Sequence, residues 1–375
     1  MGVYVSSSGD TSTGGTAQTD VSLTANTKVV ENTVAFVTKA GFVIPAVVSD
    51  FACIQAAGTG ILGPVLCSKQ SVIDHPVYGI VFSDVNGGIV ITNKDGTSRG
   101  YITPSTAFIA YAVRDDGSIF ILEKPEATET LPAYEVVDSS GNVTTQRTSL
   151  PTNVSSVLPS KGDCGVFLLT QKDASTVTVV KYDNTNAEVF SLDVPQSKLE
   201  PPVSGPYGTL LVGNTVITPK GSIQAFGTNT EVTVYPDPLS NVFFAIDLET
   251  AQTLTRVDVG NVTTSMRLPT PVVAGVAFGE KFFYLDAYGS LRGISAIGTI
   301  SWDTSVENGF SPDMLIGDTN TNTLIALDSV SGMFEVYDET GFLLTEVVAC
   351  GLTNITDVSP QTDGTAVFLG APTVS

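Results

Sequence analysis

The chain has 375 residues, and its 38 acidic and 17 basic side chains give it a formal net charge of −21. Lysine and arginine form no cluster, whereas proteins that bind nucleic acid use such clusters to neutralise phosphates. The same net charge is repelled by an anionic membrane surface. The sequence therefore predicts a protein that binds neither nucleic acid nor membranes.

The N-terminal segment has a different composition from the rest of the chain. Residues 1–20 are rich in serine, threonine and glycine, which bury too little apolar surface to fold, so we predict a flexible leader. Residues 21–72 contain short apolar runs broken by glycine and proline, which predicts a β-rich docking arm or a small subdomain. Met1–Thr27 lacks the basic and apolar segments of a secretory leader, and no apolar run has the length of a membrane helix.

Residues 73–375 repeat one sequence pattern. It consists of a short apolar strand that ends in aspartate, then a few turn residues, and then another strand. The aspartates are Asp138, Asp183, Asp247, Asp286 and Asp328. They recur at about the 40 to 50 residues of a propeller blade, except for one longer interval that predicts a blade without its aspartate. An aspartate that bonds its own turn backbone, followed by a glycine with positive φ, closes a hairpin, so each copy predicts two antiparallel strands.

Apolar runs of strand length lie between these hairpins, at 108–113, 165–169, 272–278 and 314–317. Such runs indicate strands buried on both faces, and no stretch has the apolar rhythm of a long amphipathic helix. We predict an all-β fold, a single β-propeller over 73–375 with six to seven blades of four antiparallel strands. To close the ring, Ala366–Leu369 is expected to share a blade with the segment Tyr78–Ile91.

In these repeats the chain resembles the broad YVTN/NHL/WD-like group of β-propellers. The copy that carries the resemblance best is Ala245–Ala251, which reads Ala-Ile-Asp-Leu-Glu-Thr-Ala, and the resemblance covers about residues 75–370. The Gly-His and Trp-Asp landmarks of WD repeats and the double glycines of Kelch repeats are missing. The resemblance implies a protein-interaction platform more often than an enzyme, although lyases and glycosidases share the architecture.

No residue pattern predicts a catalytic, cofactor or metal site. The single histidine, His75, is interpreted as a surface or linker residue, because no nucleophile motif accompanies it. Trp302 is expected to pack between blades, and the four cysteines, which have no zinc-type spacing, are expected to be free thiols. Carboxylates that could flank a central channel, as they do in glycosidases, are Asp115, Asp116, Asp237, Glu280, Asp303, Asp313 and Asp318.

The functional prediction is a non-catalytic structural or accessory protein of a phage or virus. An apolar β-chain with few charges, no leader and almost no histidine is typical of virion components, and residues 21–72 would dock on other virion or scaffold proteins. The alternative is a cellular or secreted binding module, either an adhesin or an interaction scaffold, that is extracellular or at the cell surface and holds a glycan or receptor on a propeller face. A carbohydrate-active propeller enzyme is the third hypothesis. No cofactor is predicted.

Overall fold

The structure is a computed structural model. It describes residues 33–37, 43–44, 53–57, 60–65, 73–83, 87–93, 98–195, 202–226, 232–260, 263–306, 310–349, 352–360 and 366–372. All regular elements in these ranges are strands, which confirms the predicted all-β class. Consistent with this, no membrane-crossing helix is found in the described part of the chain.

The strands are numbered along the chain, and each group of four consecutive strands that forms one sheet is called a blade. The N-terminal strands are β1 (Thr33–Val37), β2 (Val43–Ile44), β3 (Cys53–Ala57) and β4 (Gly60–Val65). Blade 1 comprises β5 (Ile73–Asp74), β6 (Ile80–Ser83), β7 (Ile89–Thr92) and β8 (Ser98–Ile102). Blade 2 comprises β9 (Phe108–Val113), β10 (Ile119–Glu123), β11 (Ala133–Val137) and β12 (Val143–Ser149). Blade 3 comprises β13 (Ser156–Ser160), β14 (Gly165–Asp173), β15 (Thr176–Tyr182) and β16 (Glu188–Pro195).

Four further blades follow in the same order. Blade 4 comprises β17 (Val203–Ser204), β18 (Leu210–Val212), β19 (Thr215–Ile217) and β20 (Ile223–Ala225). Blade 5 comprises β21 (Val232–Pro236), β22 (Val242–Asp247), β23 (Thr253–Asp258) and β24 (Thr263–Arg267). Blade 6 comprises β25 (Val272–Phe278), β26 (Lys281–Asp286), β27 (Ser290–Ile294) and β28 (Ile300–Ser305). Blade 7 comprises β29 (Met314–Asp318), β30 (Thr323–Asp328), β31 (Met333–Asp338) and β32 (Leu343–Ala349), and the chain ends with β33 (Leu352–Pro360) and β34 (Ala366–Pro372).

A further sheet combines strands from both ends of the chain in the order β2-β1-β34-β33, and is called the closing sheet. β34 pairs antiparallel with β1 from Thr33↔Gly370 to Val37↔Ala366. The expectation that Ala366–Leu369 shares a blade with Tyr78–Ile91 is therefore wrong. That segment lies in blade 1, whose four places are filled by its own consecutive strands, so the C-terminal strand pairs with the earlier Thr-Val-Ala-Phe-Val run instead.

One type of corner joins the third strand of a blade to the fourth. In blade 2 the Asp138 carboxylate accepts the backbone N–H groups of Ser140 and Asn142 at 2.8 and 2.9 Å, and Gly141 takes a φ of 86°. The side-chain hydrogen bond from Asn142 lowers the pKa of Asp138. The same arrangement recurs at Asp183 and Asp338. These hydrogen bonds define the turn, because they use backbone donors that the two strands leave unpaired.

The longer interval in the repeat belongs to blade 4, where Thr218 occupies this corner. Its hydroxyl accepts the N–H of Ser222 at 3.0 Å, and Ser295 does the same for Thr299 in blade 6 at 3.2 Å. A hydroxyl thus replaces the carboxylate as the turn acceptor. The predicted blade without its aspartate is present.

The repeated sequence pattern, however, occurs at two different corners of the blade. Asp247, Asp286 and Asp328 join the second strand of a blade to the third, whereas Asp138 and Asp183 join the third to the fourth. Both corners need the same local chemistry, an acceptor at the first position and a left-handed residue near the end. Sequence alone therefore merges them into one repeat.

Blades 5 and 7 use the same corner between second and third strands but differ in its last residue. The N–H of Ala251 donates to Asp247 O at 2.8 Å, and the N–H of Gly332 donates to Asp328 O at 2.9 Å. Both residues have a positive φ, 51° for Ala251 and 69° for Gly332. Alanine is strained in this region whereas glycine is not.

We therefore expect Ala251→Gly to raise the free energy of unfolding by up to about 1 kcal/mol, and Gly332→Ala to lower it by about 1 kcal/mol. Urea denaturation of the two single variants checks both signs. Two losses of stability would show that the methyl group of Ala251 stabilises the protein by more than its backbone conformation costs.

The described chain divides into two compact units, residues 104–304 and residues 1–103 with 305–375. The first unit holds blades 2 to 6, and each consecutive pair of blades shares an apolar core. The second unit holds blades 1 and 7 and the closing sheet, and there Leu327 and Phe334 of blade 7 pack with Ile355 and Val358 of β33.

Burial varies with the position of a strand in its blade. The second strands β10 and β22 are almost entirely buried, whereas the fourth strands β12, β20 and β28 are largely exposed. Sheets that pack face to face in succession, with buried middle strands and exposed outer strands, form a β-propeller. Seven blades of consecutive strands confirm the predicted fold class, and the closing sheet is an eighth four-stranded sheet in the described part of the chain.

Candidate binding surface on the corner face

The corners between first and second strands lie at the same end of a blade as those between third and fourth strands, because antiparallel strands alternate in direction. In blades 2 to 6 this end is called the corner face. Hydrogen bonds join neighbouring corners on it. The Asp115 carboxylate of blade 2 accepts the N–H of Gly162 in blade 3, and the Asp237 carboxylate of blade 5 accepts the N–H of Glu280 in blade 6 at 2.6 Å. These bonds fix adjacent blades relative to each other.

Two buried cations reinforce the corner face. Lys181 of blade 3 is almost fully buried, and its ammonium forms an ion pair with Asp163. The same Nζ donates to the carbonyl oxygens of Gly208 at 3.5 Å and Pro219 at 3.4 Å, both in blade 4. Arg114 of blade 2 donates to Asn186 Oδ1 of blade 3 at 2.6 Å, and burial lowers the pKa of this arginine. Since a buried charge requires its partners, these contacts hold blades 2, 3 and 4 in one arrangement.

An exposed apolar patch lies on the same face, where the corner of blade 4 meets that of blade 5. It consists of Tyr207, Pro238 and Leu239 and is called the Tyr207 patch. Tyr207 is 55% exposed and Leu239 is 51% exposed, and the tyrosine hydroxyl donates to Leu239 O at 3.4 Å. A Cβ on Gly162 would lie 3.2 Å from the Tyr207 Cα, so the blade 3 corner supports the tyrosine backbone from the other side.

The backbone of Tyr207 has an unusual conformation. Its φ is 53°, and the next residue, Gly208, has a φ of 73°. A bulky residue in the left-handed region is a strained outlier, and such residues persist where the surroundings over-determine them. Here the surroundings are the Lys181 contact with the Gly208 carbonyl, the buried Pro206 and the hydroxyl of Thr209, which donates to Pro206 O at 2.6 Å. The corner therefore holds the tyrosine backbone in one conformation, from which the side-chain hydroxyl reaches Leu239 O.

The carboxylates predicted as channel candidates form part of turns and ion pairs. Asp116 accepts hydrogen bonds from Ser118, Asp313 from Ser329, and Asp318 from Asn320 and Thr321. Asp303 pairs with Arg292 at 3.2 Å.

Asp237 and Glu280 are brought together, but through the backbone N–H of Glu280, and the carboxylate of Glu280 accepts from Arg256 at 2.9 Å. In glycoside hydrolysis two carboxylates must face one substrate. These side chains instead support the corners.

His75 is buried, which corrects its interpretation as a surface or linker residue. Its Nδ1 accepts the N–H groups of Val77 at 3.2 Å and Tyr78 at 3.1 Å, and its ring stacks on Tyr78 with centroids 4.9 Å apart. An Nδ1 that accepts these bonds places the ring proton on Nε2. The histidine thus holds the first corner of blade 1.

Trp302 and Cys164 also have structural surroundings. The indole ring lies 5.9 Å from that of Phe283 within blade 6, and a Cβ on Gly293 would collide with it. Cys164 is a half-buried free thiol whose pKa is raised by burial. The side chains of the other cysteines lie outside the described residues. In the part of the chain that the structure describes, no group of His, Cys, Asp and Glu is arranged to hold a metal ion.

Sequence reasoning missed a carboxylate cluster at the opposite end of blade 2. Glu123 is fully buried, and its carboxylate accepts the N–H of Thr106 at 3.0 Å and lies 2.9 Å from Arg147 Nε. Glu135, also buried, accepts from the hydroxyl of Ser105 at 2.8 Å. Both glutamates therefore bind the segment that enters blade 2. A sequence signal existed, because Ala133–Asp138 and Met333–Asp338 read Ala-Tyr-Glu-Val-Val-Asp and Met-Phe-Glu-Val-Tyr-Asp, with a buried glutamate third in each.

The cluster has a defined electrostatic pattern. Burial raises the pKa of Glu123, and the neighbouring Glu135 adds to that rise. The hydrogen bond from Arg147 lowers the pKa of Glu129 to about 2. Arg147 spans both groups, since it also donates to Glu129 through two nitrogens at 2.8 and 2.6 Å. The fully buried carboxyl of Glu123 is out of reach of a substrate, so the arrangement acts as a clamp on the loop between β10 and β11.

Comparisons with known proteins are informative about the fold only. No family model and no curated protein sequence matches the chain. Among solved structures it is similar to BamB from Moraxella catarrhalis, with a TM-score of 0.51 and 11% identity over 82% of this chain and 98% of that one. It is also similar to a eukaryotic initiation factor, with a TM-score of 0.52 and 11% identity over 89% of this chain and 87% of that one. A third similar structure is the dihydro-heme d1 dehydrogenase NirN in complex with DHE, with a TM-score of 0.52 and 10% identity over 84% of this chain and 74% of that one. At such identities the likeness shows a shared β-propeller architecture.

Proposed function

We propose that this chain is a non-catalytic binding propeller that holds a protein partner on the Tyr207 patch. The supporting observation is the conformation of Tyr207, an exposed aromatic side chain on a strained and well-supported corner. Tyrosine is enriched among the residues that carry most of the binding energy in protein interfaces. A ring that is already oriented loses little conformational entropy on binding, which increases affinity.

The surroundings of the patch favour binding over chemistry. Lys181, Asp163 and Asp237 lie behind or beside the patch, and all three are engaged in contacts between or within blades. Enzyme sites gather titratable groups around a reactive position. The candidate carboxylates of this chain instead accept hydrogen bonds from backbone N–H groups, hydroxyls and arginines.

The virion role predicted from the sequence stays a prediction, as does docking through residues 21–72. The similar structures carry no such role in their names, and a cellular propeller is compatible with all of them. The genes that neighbour the coding sequence test this directly. Terminase, portal or capsid genes beside it would support the virion role, whereas their absence in several genomes would contradict it.

We expect Tyr207→Ala to weaken partner binding by at least tenfold while leaving the thermal unfolding midpoint nearly unchanged, because the ring is a surface anchor. The partner is first identified in the source cells with a photo-crosslinking phenylalanine analogue at position 207. Its affinity for the purified full-length variants is then measured by calorimetry.

Tyr288→Ala is the matched control. Tyr288 is 78% exposed but belongs to the corner between second and third strands of blade 6, at the other end of the sheet. Binding that drops equally in both variants, or in neither, would contradict a patch centred on Tyr207.

A further inference from the structure

A cleft lies between the outer strand of blade 5, β24, and the corner of blade 6 that joins β27 to β28. Its floor consists of Phe244, Leu254 and Ile294, all buried, and its walls include Met266 and the 86% exposed Ile297. The cavity volume is about 110 Å³. An apolar cavity of roughly 150 Å³ accepts benzene, so this cleft is suited to one branched aliphatic side chain.

The side chains that line the cleft lie on one face of blade 5, beside its outer strand. Leu254 pairs with Met266, and Arg256 pairs with Thr264, so these four side chains share the face of the sheet that points at blade 6. β24 is the last strand of its sheet. A strand added beside it would place alternate side chains on that same face, directly over the cleft.

The two ends of the cleft differ in charge. At one end Arg256 donates to Asp258 at 3.1 Å, to Glu280 at 2.9 Å and to the carbonyl oxygen of Ala296 at 2.7 Å. Two carboxylates against one guanidinium leave this end negative. At the other end of β24 the exposed Arg267 contributes a positive charge.

We propose that the cleft binds an extended peptide segment of a partner protein, which adds as a fifth strand to blade 5. The segment inserts one valine, leucine or isoleucine side chain into the cleft. A basic residue on one side of it lies near Asp258 and Glu280, and an acidic residue on the other side lies near Arg267. In such β-strand addition the backbone hydrogen bonds give affinity, and the side-chain pocket and charges give specificity. This site is separate from the Tyr207 patch, and its test does not depend on that proposal.

The test uses the full-length protein and fluorescent nine-residue peptides of threonine with one central isoleucine. Two lysines stand at one end and two glutamates at the other, in both orders. Fluorescence anisotropy is expected to show saturable binding for one order, at least tenfold weaker when the isoleucine is replaced by alanine. In an added strand only alternate backbone N–H groups point at β24. Methylation of these nitrogens is therefore expected to abolish binding, whereas methylation of the other alternate set is expected to leave it intact.

Two variants of the protein separate the cleft from general surface adhesion. Ile297→Ala removes an exposed wall and is expected to weaken binding at least tenfold, whereas Ile300→Ala, an exposed isoleucine on β28, changes it less than twofold. Equal effects of the two substitutions would overturn the proposal. Equal binding by both methylated peptides would also overturn it. If only a free branched alcohol such as 3-methylbutanol binds, the cleft is a small-molecule site and the proposal is wrong.

Discussion

Replacing Asp163 by asparagine is expected to lower the free energy of unfolding by about 3 kcal/mol, because it leaves a buried ammonium without a counter-charge. Lys181 is only 2% exposed, and besides Asp163 it contacts two carbonyl oxygens of blade 4. Asparagine keeps an oxygen for the N–H of Gly165, which Asp163 now accepts at 3.1 Å. The substitution therefore removes mainly the charge. Because Asp163 itself is partly exposed, the effect lies at the lower end of the range for broken buried pairs.

Urea denaturation of four proteins measures this effect as a double-mutant cycle. Adding Lys181→Met to Asp163→Asn is expected to restore much of the lost stability, since a neutral chain of similar length needs no counter-charge. Asp193→Asn is the matched control, because it breaks the pair with Lys172, an exposed lysine on the same blade. A control as damaging as Asp163→Asn, or a double variant that is no better than the single one, would show that burial of Lys181 is not the cause.

Lys181 also links the stability of the fold to the proposed binding surface. Lys181 holds the carbonyl of Gly208, which follows Tyr207 in the strained corner. We expect that loosening this contact lets the tyrosine backbone leave the left-handed region, so that the ring is presented less consistently to a partner. Asp163→Asn should therefore also weaken partner binding, although position 163 lies outside the patch.

The sequence predicted the blades because their determinants are local. A turn acceptor such as Asp138 and a buried run such as 165–169 each act within a few residues. The closing sheet depends on which distant strand pairs with Ala366–Pro372, and several runs have the composition to do so. Local chemistry does not distinguish among them.

The candidate surface was harder to predict for a similar reason. Ser204–Thr209 has the composition of an ordinary turn, and the left-handed backbone of Tyr207 is held partly by a contact between distant residues, that of Lys181 in blade 3 with the carbonyl of Gly208. Likewise, Arg147 is the one charged residue of the exposed strand β12, and only the fold shows that it lies beside Glu123. A charge pair between residues this far apart in the chain has no signature in the spacing of the sequence.

Replacing Arg147 by alanine is expected to destabilise the protein by about 3 kcal/mol at pH 7 and by less at pH 5. The fully buried Glu123 would lose its cation, so its pKa, already raised above 4.5 by burial, would rise further. A raised carboxyl pKa means that the native state holds a proton which the unfolded chain has released. Stability then falls as the pH rises from about 4.5 through the pKa of the folded protein.

The contribution of Glu129 to stability has the opposite dependence on pH. Its pKa of about 2 in the folded protein lies below the value of the unfolded chain, so its hydrogen bond with Arg147 stabilises the native state fully above pH 4.5 and is lost as the pH falls towards 2. The alanine variant has no such hydrogen bond to lose. Both groups therefore make the difference between wild type and Arg147→Ala grow with pH.

Denaturation curves of the two proteins at pH 3, 5 and 7 test this dependence, and Glu123→Gln separates the two groups. In the Arg147→Ala background, Glu123→Gln is expected to recover more stability at pH 7 than at pH 5, because the amide removes a buried carboxyl whose ionisation costs more as the pH rises. An Arg147→Ala penalty that is the same at pH 5 and pH 7 would mean that the arginine acts by packing over blade 2 rather than by charge. The loop between β10 and β11 would then not be held by the electrostatic clamp.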